Sequence, residues 1–121
     1  DALRSHPGYR ALIYDYADAL LENRQPGEAL KLVESRLQYS VSDWRLYELQ
    51  AKCYAALGKR MPQHRAQAEA YYRSGNLRNA IEQLGLAQKS GDGDFYQQSS
   101  VDARLRELRA QEEEARRENR K

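Results

Sequence analysis

The chain has 121 residues, room for one ordinary domain and too little for two. Charged residues make up 31% and apolar ones 40%, which fits a soluble helical protein and excludes a bilayer-embedded or wholly disordered one; no apolar run approaches the ~20 residues needed to span a membrane. Twenty Lys+Arg against eighteen Asp+Glu leave a net charge of +2, too weak a field to gather nucleic acid in spite of a pI of 8.7.

The sequence opens on Asp1 with no signal-peptide pattern, so we expect a piece of a longer polypeptide. Cys53 is the sole cysteine and cannot form an internal disulfide, which leaves the redox compartment open.

In chain order, periodicity and punctuation predict six helices. The first runs from about Pro7 to Asn23 with Ile13, Ala17, Leu20 and Leu21 on one stripe. Gln25-Pro26-Gly27 breaks it, and a second helix from about Pro26 to Tyr39 buries Ala29, Val33 and Leu37. Ser40, Ser42 and Asp43 are cap candidates for a third, about Asp43 to Leu57, apolar around much of its circumference and therefore central. Gly58 stops it; Pro62 opens a fourth, about Met61 to Ser74; Gly75 ends that one and Asn76 caps a fifth, about Leu77 to Lys89. After the loop Gly91-Asp92-Gly93-Asp94, Ser99-x-x-Asp102 reads as a capping box for a sixth helix to about Arg117. Its front half should dock through Val101, Leu105 and Leu108. The stretch from Arg104 to Lys121 interleaves seven basic with five acidic residues, and apart from those apolar side chains it reads as a solvated, i, i+4-paired helix.

These helices carry a repeat. Ala17-Asp18-Ala19-Leu20, Arg24 and Ala29 return 34 residues later as Ala51, Tyr54, Gly58 and Gln63, then 17 residues on as Ala68, Tyr71, Gly75 and Ala80. Small residue, large residue, turn residue and small residue in a 34-residue helix–turn–helix unit is the tetratricopeptide (TPR) pattern, and such units stack into a solenoid with a binding surface. Seventeen residues is half a unit, so the helix from Met61 would close one hairpin and open the next. The fold expected is all-α: a TPR-like α-solenoid of about five antiparallel helices over residues 1–97, plus a charged C-terminal helix over 98–121 that packs on it or projects from it.

Leu46-Tyr47-Glu48-Leu49-Gln50-Ala51, Gln67 to Leu77, Ala80-Ile81 and the tail segment Asp102-Ala103-Arg104-Leu105-Arg106-Glu107-Leu108 resemble the C-terminal TPR domain of BepA-type zinc metalloproteases, from about Tyr9 to Arg109. The resemblance implies a periplasmic, non-catalytic interaction domain of a Gram-negative protease-chaperone concerned with assembly and quality control of outer-membrane β-barrel proteins. Implied partners are the β-barrel assembly machinery, outer-membrane clients and the protein's own protease domain, with no nucleic acid and no direct membrane insertion. That family binds zinc through a His-Glu-x-x-His helix. Nothing like it stands in this sequence, whose histidines are His6 and His64. No cofactor is therefore expected in this chain, zinc belonging to the absent protease domain.

TPR register, counted from Arg10, Trp44 and Met61, implies a concave groove of Tyr14, Asp18 and Glu22; Arg45, Glu48 and Lys52; and Arg65, Glu69, Tyr72 and Arg73. Tyr and Arg anchors among both charge signs suit an extended peptide, although each is also an ordinary solvated helix residue. Tyr72 and Arg73 are expected to serve capture without supporting the fold. Tyr16, Tyr47, Tyr54 and Tyr71 occupy repeat-core positions, whereas no core pattern claims Tyr14, Tyr72 or Tyr96.

Cys53 reads as a packed thiol, and a Cys53–His64 dyad lacks a patterned orienting residue. Asp92-Gly93-Asp94 has Ala103 where a calcium loop needs its twelfth-position Glu. The rival functions are a general TPR scaffold without a protease and, more remotely, a basic nucleic-acid module whose affinity would fall steeply with salt.

Overall fold

The computed structural model describes residues 7–120. Among them the chain is all-helical: α1 (Pro7–Glu22), α2 (Pro26–Leu37), α3 (Trp44–Ala56), α4 (Arg60–Arg73), α5 (Leu77–Lys89) and α6 (Phe95–Asn119). Consecutive helices pack on one another, α3 also on α1, in an all-α, solenoid-like repeat arrangement.

The sequence repeat reappears as one repeated turn. After α1, Gln25 N–H donates to Leu20 C=O (2.8 Å) and Arg24 N–H to Leu21 C=O (3.1 Å). After α3 the same pair joins Lys59 to Tyr54 (3.0 Å) and Gly58 to Ala55 (3.1 Å), and after α4 it joins Asn76 to Tyr71 (2.8 Å) and Gly75 to Tyr72 (3.1 Å). Each is a Schellman turn, in which the residue after the C-cap takes a left-handed backbone and satisfies carbonyls the helix leaves open. Gly58 and Gly75 adopt φ of 72° and 89° at no side-chain cost, whereas Arg24 holds φ 60° with a Cβ. The next helix then starts on Pro26 in its first turn or on Asn76, whose side chain accepts from Asn79 N–H.

Helix α3 is capped by Asp43, which accepts from Arg45 N–H at 3.1 Å. Helix α4 has no side-chain cap of its own. Asp92, 32 residues ahead of Arg60 in the α5–α6 loop, supplies it: its two oxygens accept from Arg60 N–H (2.6 Å) and Met61 N–H (2.9 Å). Those amides, Met61's foremost, hold its carboxyl below the usual range. Beside it Gly93 sits against Met61, and a Cβ there would lie 2.1 Å from the sulfur. The Asp-Gly-Asp segment is thus a tertiary staple between the α5–α6 loop and α4.

Most of the buried residues fall into two three-helix cores. Ala17 of α1, Val33 of α2, and Leu46 and Leu49 of α3 form the first, with Ile13, Leu21, Leu32 and Leu37 against it. Met61 and Ala68 of α4, Ala80, Leu84 and Ala87 of α5, and Val101, Leu105 and Leu108 of α6 form the second. The small residues of the repeat are the close-approach points: Ala17, Ala51, Ala68 and Ala80 are all buried. Each large aliphatic side chain fully buried here contributes roughly 1.5–3 kcal/mol relative to exposure. Helix α4 packs on α3 behind and α5 ahead, which is the double role suggested by the half-unit spacing.

Two expectations need correction. Helix α6 begins at Phe95, not near Ser99: Asp94 accepts from Gln97 N–H (2.7 Å) while the Gln97 side chain accepts from Asp94 N–H (3.0 Å). That reciprocal pair outcompetes Ser99-x-x-Asp102 because it stands next to the Gly-Asp-Gly loop, where the backbone already turns. Position 98 therefore lies inside the first turn of α6. Tyr16, assigned to the core, is 59% exposed. It points off the Ile13–Ala17 stripe, and among the described residues no earlier helix covers that side of α1.

Candidate functional site

Helices α3, α4 and α6 enclose a groove of about 650 Å³, with Glu34 of α2 at its edge. Three adjacent ridges of α3 explain its floor. The ridge of Leu46, Leu49 and Cys53 is buried. On one flank, Tyr47, Gln50 and Tyr54 at i, i+3 and i+7 face the groove. Helix α4 contributes Arg65, Glu69 and Arg73, again one helical row, and α6 contributes Ser100, Arg104 and Glu107.

The α4–α6 side is closed by charge. Arg104 donates to both oxygens of Glu69, from Nε at 2.7 Å and Nη2 at 3.2 Å, and also to Glu107. Its guanidinium lies 4.7 Å from the Tyr72 ring centroid, a cation–π contact that fixes its plane. Arg73 donates from Nε to Glu69 at 3.4 Å. The Glu69 and Arg104 side chains are only 19% and 21% exposed, so water screens this pair incompletely.

The α2–α3 side is polar rather than ionic. Glu34 accepts from Gln50 Nε2 (3.2 Å) and from the Tyr54 hydroxyl (3.1 Å). Burial first, then the Glu34 charge and hydrogen bond, pushes Tyr54 up to about 12, so it stays a donor at neutral pH. The Tyr47 hydroxyl donates to Val41 C=O at 2.9 Å, and burial raises its pKa too. Between these walls Arg65 is exposed and forms no ion pair among the described residues. Glu34, Glu69 and Glu107 balance Arg65, Arg73 and Arg104, and the groove has little net field.

Of the residues expected on the concave face, the structure brings together Arg65, Glu69 and Arg73. Tyr72 sits beside them but packs on the second core and donates from its hydroxyl to Gln111 at 3.2 Å, so it supports the fold. Tyr14 and Arg45 line a separate cleft at the α1–α3 corner. Asp18, Glu22, Glu48 and Lys52 line neither. On α3 the ridge of Arg45, Glu48 and Lys52 flanks the buried ridge on the side away from the groove, whereas Tyr47, Gln50 and Tyr54 flank it on the near side. Tyr47 and Tyr54, expected in the core, are half-buried groove residues. The missed signal was their polar tip: a tyrosine beside a buried ridge presents its hydroxyl at the edge of the core.

The chemistry-bearing residues stand apart from one another. Cys53 is buried, and its thiol is pushed up to about 11 by burial and then by the Glu34 and Asp18 charges, so it is not poised as a nucleophile. His64 Nδ1 is hydrogen-bonded to Gln83 at 2.9 Å. His6 lies outside the described residues. Among the described residues no three His, Cys, Asp or Glu side chains converge as metal ligation requires. No helix is long and apolar enough to cross a membrane among those residues.

No family model matches the chain. Its sequence is similar to the β-barrel assembly-enhancing proteases of Escherichia coli K12 and Shigella flexneri, at 32% identity over 111 residues in each case. The matched stretch is 92% of this chain and 22% of either relative. The similarity runs through nearly all six helices. The chain thus corresponds to a minor part of those proteases.

Proposed function

We propose that the chain is a non-catalytic, TPR-type protein-binding domain of a β-barrel assembly-enhancing protease-like protein, acting in the periplasm where outer-membrane β-barrel proteins are assembled. The observation that carries this reading is the groove between α3, α4 and α6, with tyrosine-bearing walls, an Arg65 that forms no ion pair among the described residues, and a balanced charge. Such a surface favours an extended polypeptide, which offers backbone amides, carbonyls and mixed side chains at once. The similarity to assembly-enhancing proteases over 111 residues supports the biological setting. Any zinc-dependent peptide cleavage would belong to a separate domain, and this domain would position the partner for it.

The domain organisation follows the same reading. The solenoid recognises the partner and α6 serves as one wall of the groove, its Arg104 locked onto Glu69. A photoreactive residue placed at Gln50 or Arg65 should crosslink to components of the outer-membrane β-barrel assembly machinery or to its clients, and one placed at Glu22 should not. Equal labelling from all three positions would refute the groove. A steep fall of capture with salt would favour nucleic acid instead.

A further inference from the structure

A second recess lies at the corner where the start of α1 meets the α2–α3 turn. It has a volume of about 540 Å³ and includes Arg10, Tyr14, Tyr39, Asp43, Trp44 and Arg45 in its lining. Its electrostatics differ from those of the main groove. Asp43 is the one acid among the lining residues, and both its oxygens are engaged: Oδ2 accepts from the Tyr14 hydroxyl at 2.5 Å and Oδ1 from Arg45 N–H at 3.1 Å. Burial foremost, then the Asp43 hydrogen bond and charge, pushes Tyr14 up to about 12, so that bond persists through neutral pH.

Arg10 and Arg45 are exposed and form no ion pair among the described residues. The Arg45 guanidinium lies over two rings, 5.4 Å from the Trp44 centroid and 5.8 Å from that of Tyr14. Stacking holds the plane of the guanidinium and leaves its N–H edge available. Beside it Trp44 is 37% exposed and offers an aromatic face to the recess.

Two guanidinium groups against one carboxylate leave the recess a surplus positive charge, and with the aromatic rings at its border they point to an anionic group next to an apolar side chain. We propose that this recess is a second polypeptide-docking site, independent of the groove, that takes an internal Asp or Glu followed by an aromatic residue. The carboxylate meets Arg10 and Arg45, and the ring of the ligand packs on Trp44. A side-chain carboxylate fits better than a chain terminus. Capture of a terminus usually relies on a nest of open backbone N–H groups, and here the α3 N-terminus is already capped by Asp43.

Trp44 is the sole tryptophan, so its fluorescence reads this recess directly. The probe is a hexapeptide blocked at both ends, with Glu-Phe at its centre and Gly or Ser elsewhere. We expect a saturable change in Trp44 emission, weakened by added salt, and at least five-fold weaker binding for the Gln-Phe and Glu-Ala analogues. Calorimetry should show Arg10→Gln and Arg45→Gln each weakening the blocked Glu-Phe peptide at least five-fold with an unchanged far-ultraviolet spectrum, while Arg65→Gln in the main groove has no effect. Equal affinity for the Gln-Phe analogue, indifference to Arg10→Gln, or no saturation at millimolar peptide would overturn the proposal. So would tighter binding by a peptide whose only carboxylate is its C-terminus.

Discussion

Helix α6 runs along the groove beside the second core, and the Glu69–Arg104 pair is the charged contact that ties it to α4 there. Replacing Arg104 by Gln removes its two charge-assisted hydrogen bonds to Glu69, the one to the exposed Glu107 and the stack on Tyr72, and leaves the largely buried Glu69 carboxylate with Arg73 alone, at 3.4 Å. Charge-assisted hydrogen bonds of this kind contribute ~1.5–3 kcal/mol, and a cation–π contact adds about 0.5–1 kcal/mol. Retained packing of Val101, Leu105 and Leu108, all buried, keeps α6 in place. Counting the forked Glu69 contact as one such interaction, and discounting it for the fifth of each side chain that water reaches, the expected loss on Arg104→Gln is about 2–3 kcal/mol in urea unfolding. A double-mutant cycle with Glu69→Gln isolates the pair, with an expected coupling of about 1–2 kcal/mol. Because both side chains are about four-fifths covered, most of that coupling should survive in 1 M salt. A coupling under ~0.5 kcal/mol, the level of an exposed ion pair, would refute the view that this contact fastens the wall of the groove.

Arg24→Gly should stabilise the domain by about 0.5–1 kcal/mol, since Arg24 holds a left-handed φ of 60° where the two equivalent turns carry glycine; chemical denaturation would measure it, and a loss of stability would show that the side chain does something more. Ala68→Leu overpacks the α4–α5–α6 core, where Ala68 is buried, and should cost ~1–3 kcal/mol in the same assay. The Asp92 carboxyl is depressed in the folded state, so its contribution is present above the unfolded value near 3.8 and fades as pH falls through the lower folded one. Asp92→Ala should accordingly speed amide exchange at Arg60 and Met61 at neutral pH, and flatten the acid limb of the stability profile. With its thiol pushed up to about 11 and buried, Cys53 should react with a disulfide reagent only after unfolding; prompt labelling of the folded chain would contradict that placement.

Local order in this protein is encoded in short stretches of chain. Helix periodicity, the turn residues Arg24, Gly58 and Gly75, and the alanines at 17, 51, 68 and 80 act over a few residues, within one helix and its turn. They were legible as a repeat before any coordinates, and all three turns adopt the same hydrogen-bonded form. Tertiary structure decided the rest. Which flank of the buried α3 ridge faces the groove depends on how α4 rolls against it and where α6 then falls, so Tyr47, Gln50 and Tyr54 line the hollow instead of Arg45, Glu48 and Lys52. Arg104 finds Glu69 across 35 positions, and Asp92 caps a helix 32 positions away, contacts that no local pattern encodes. A helix's own residues set where it begins and ends, whereas its rotation about its axis is settled only when neighbouring helices compete to bury their surfaces. That rotation is what turns a row of side chains into a site.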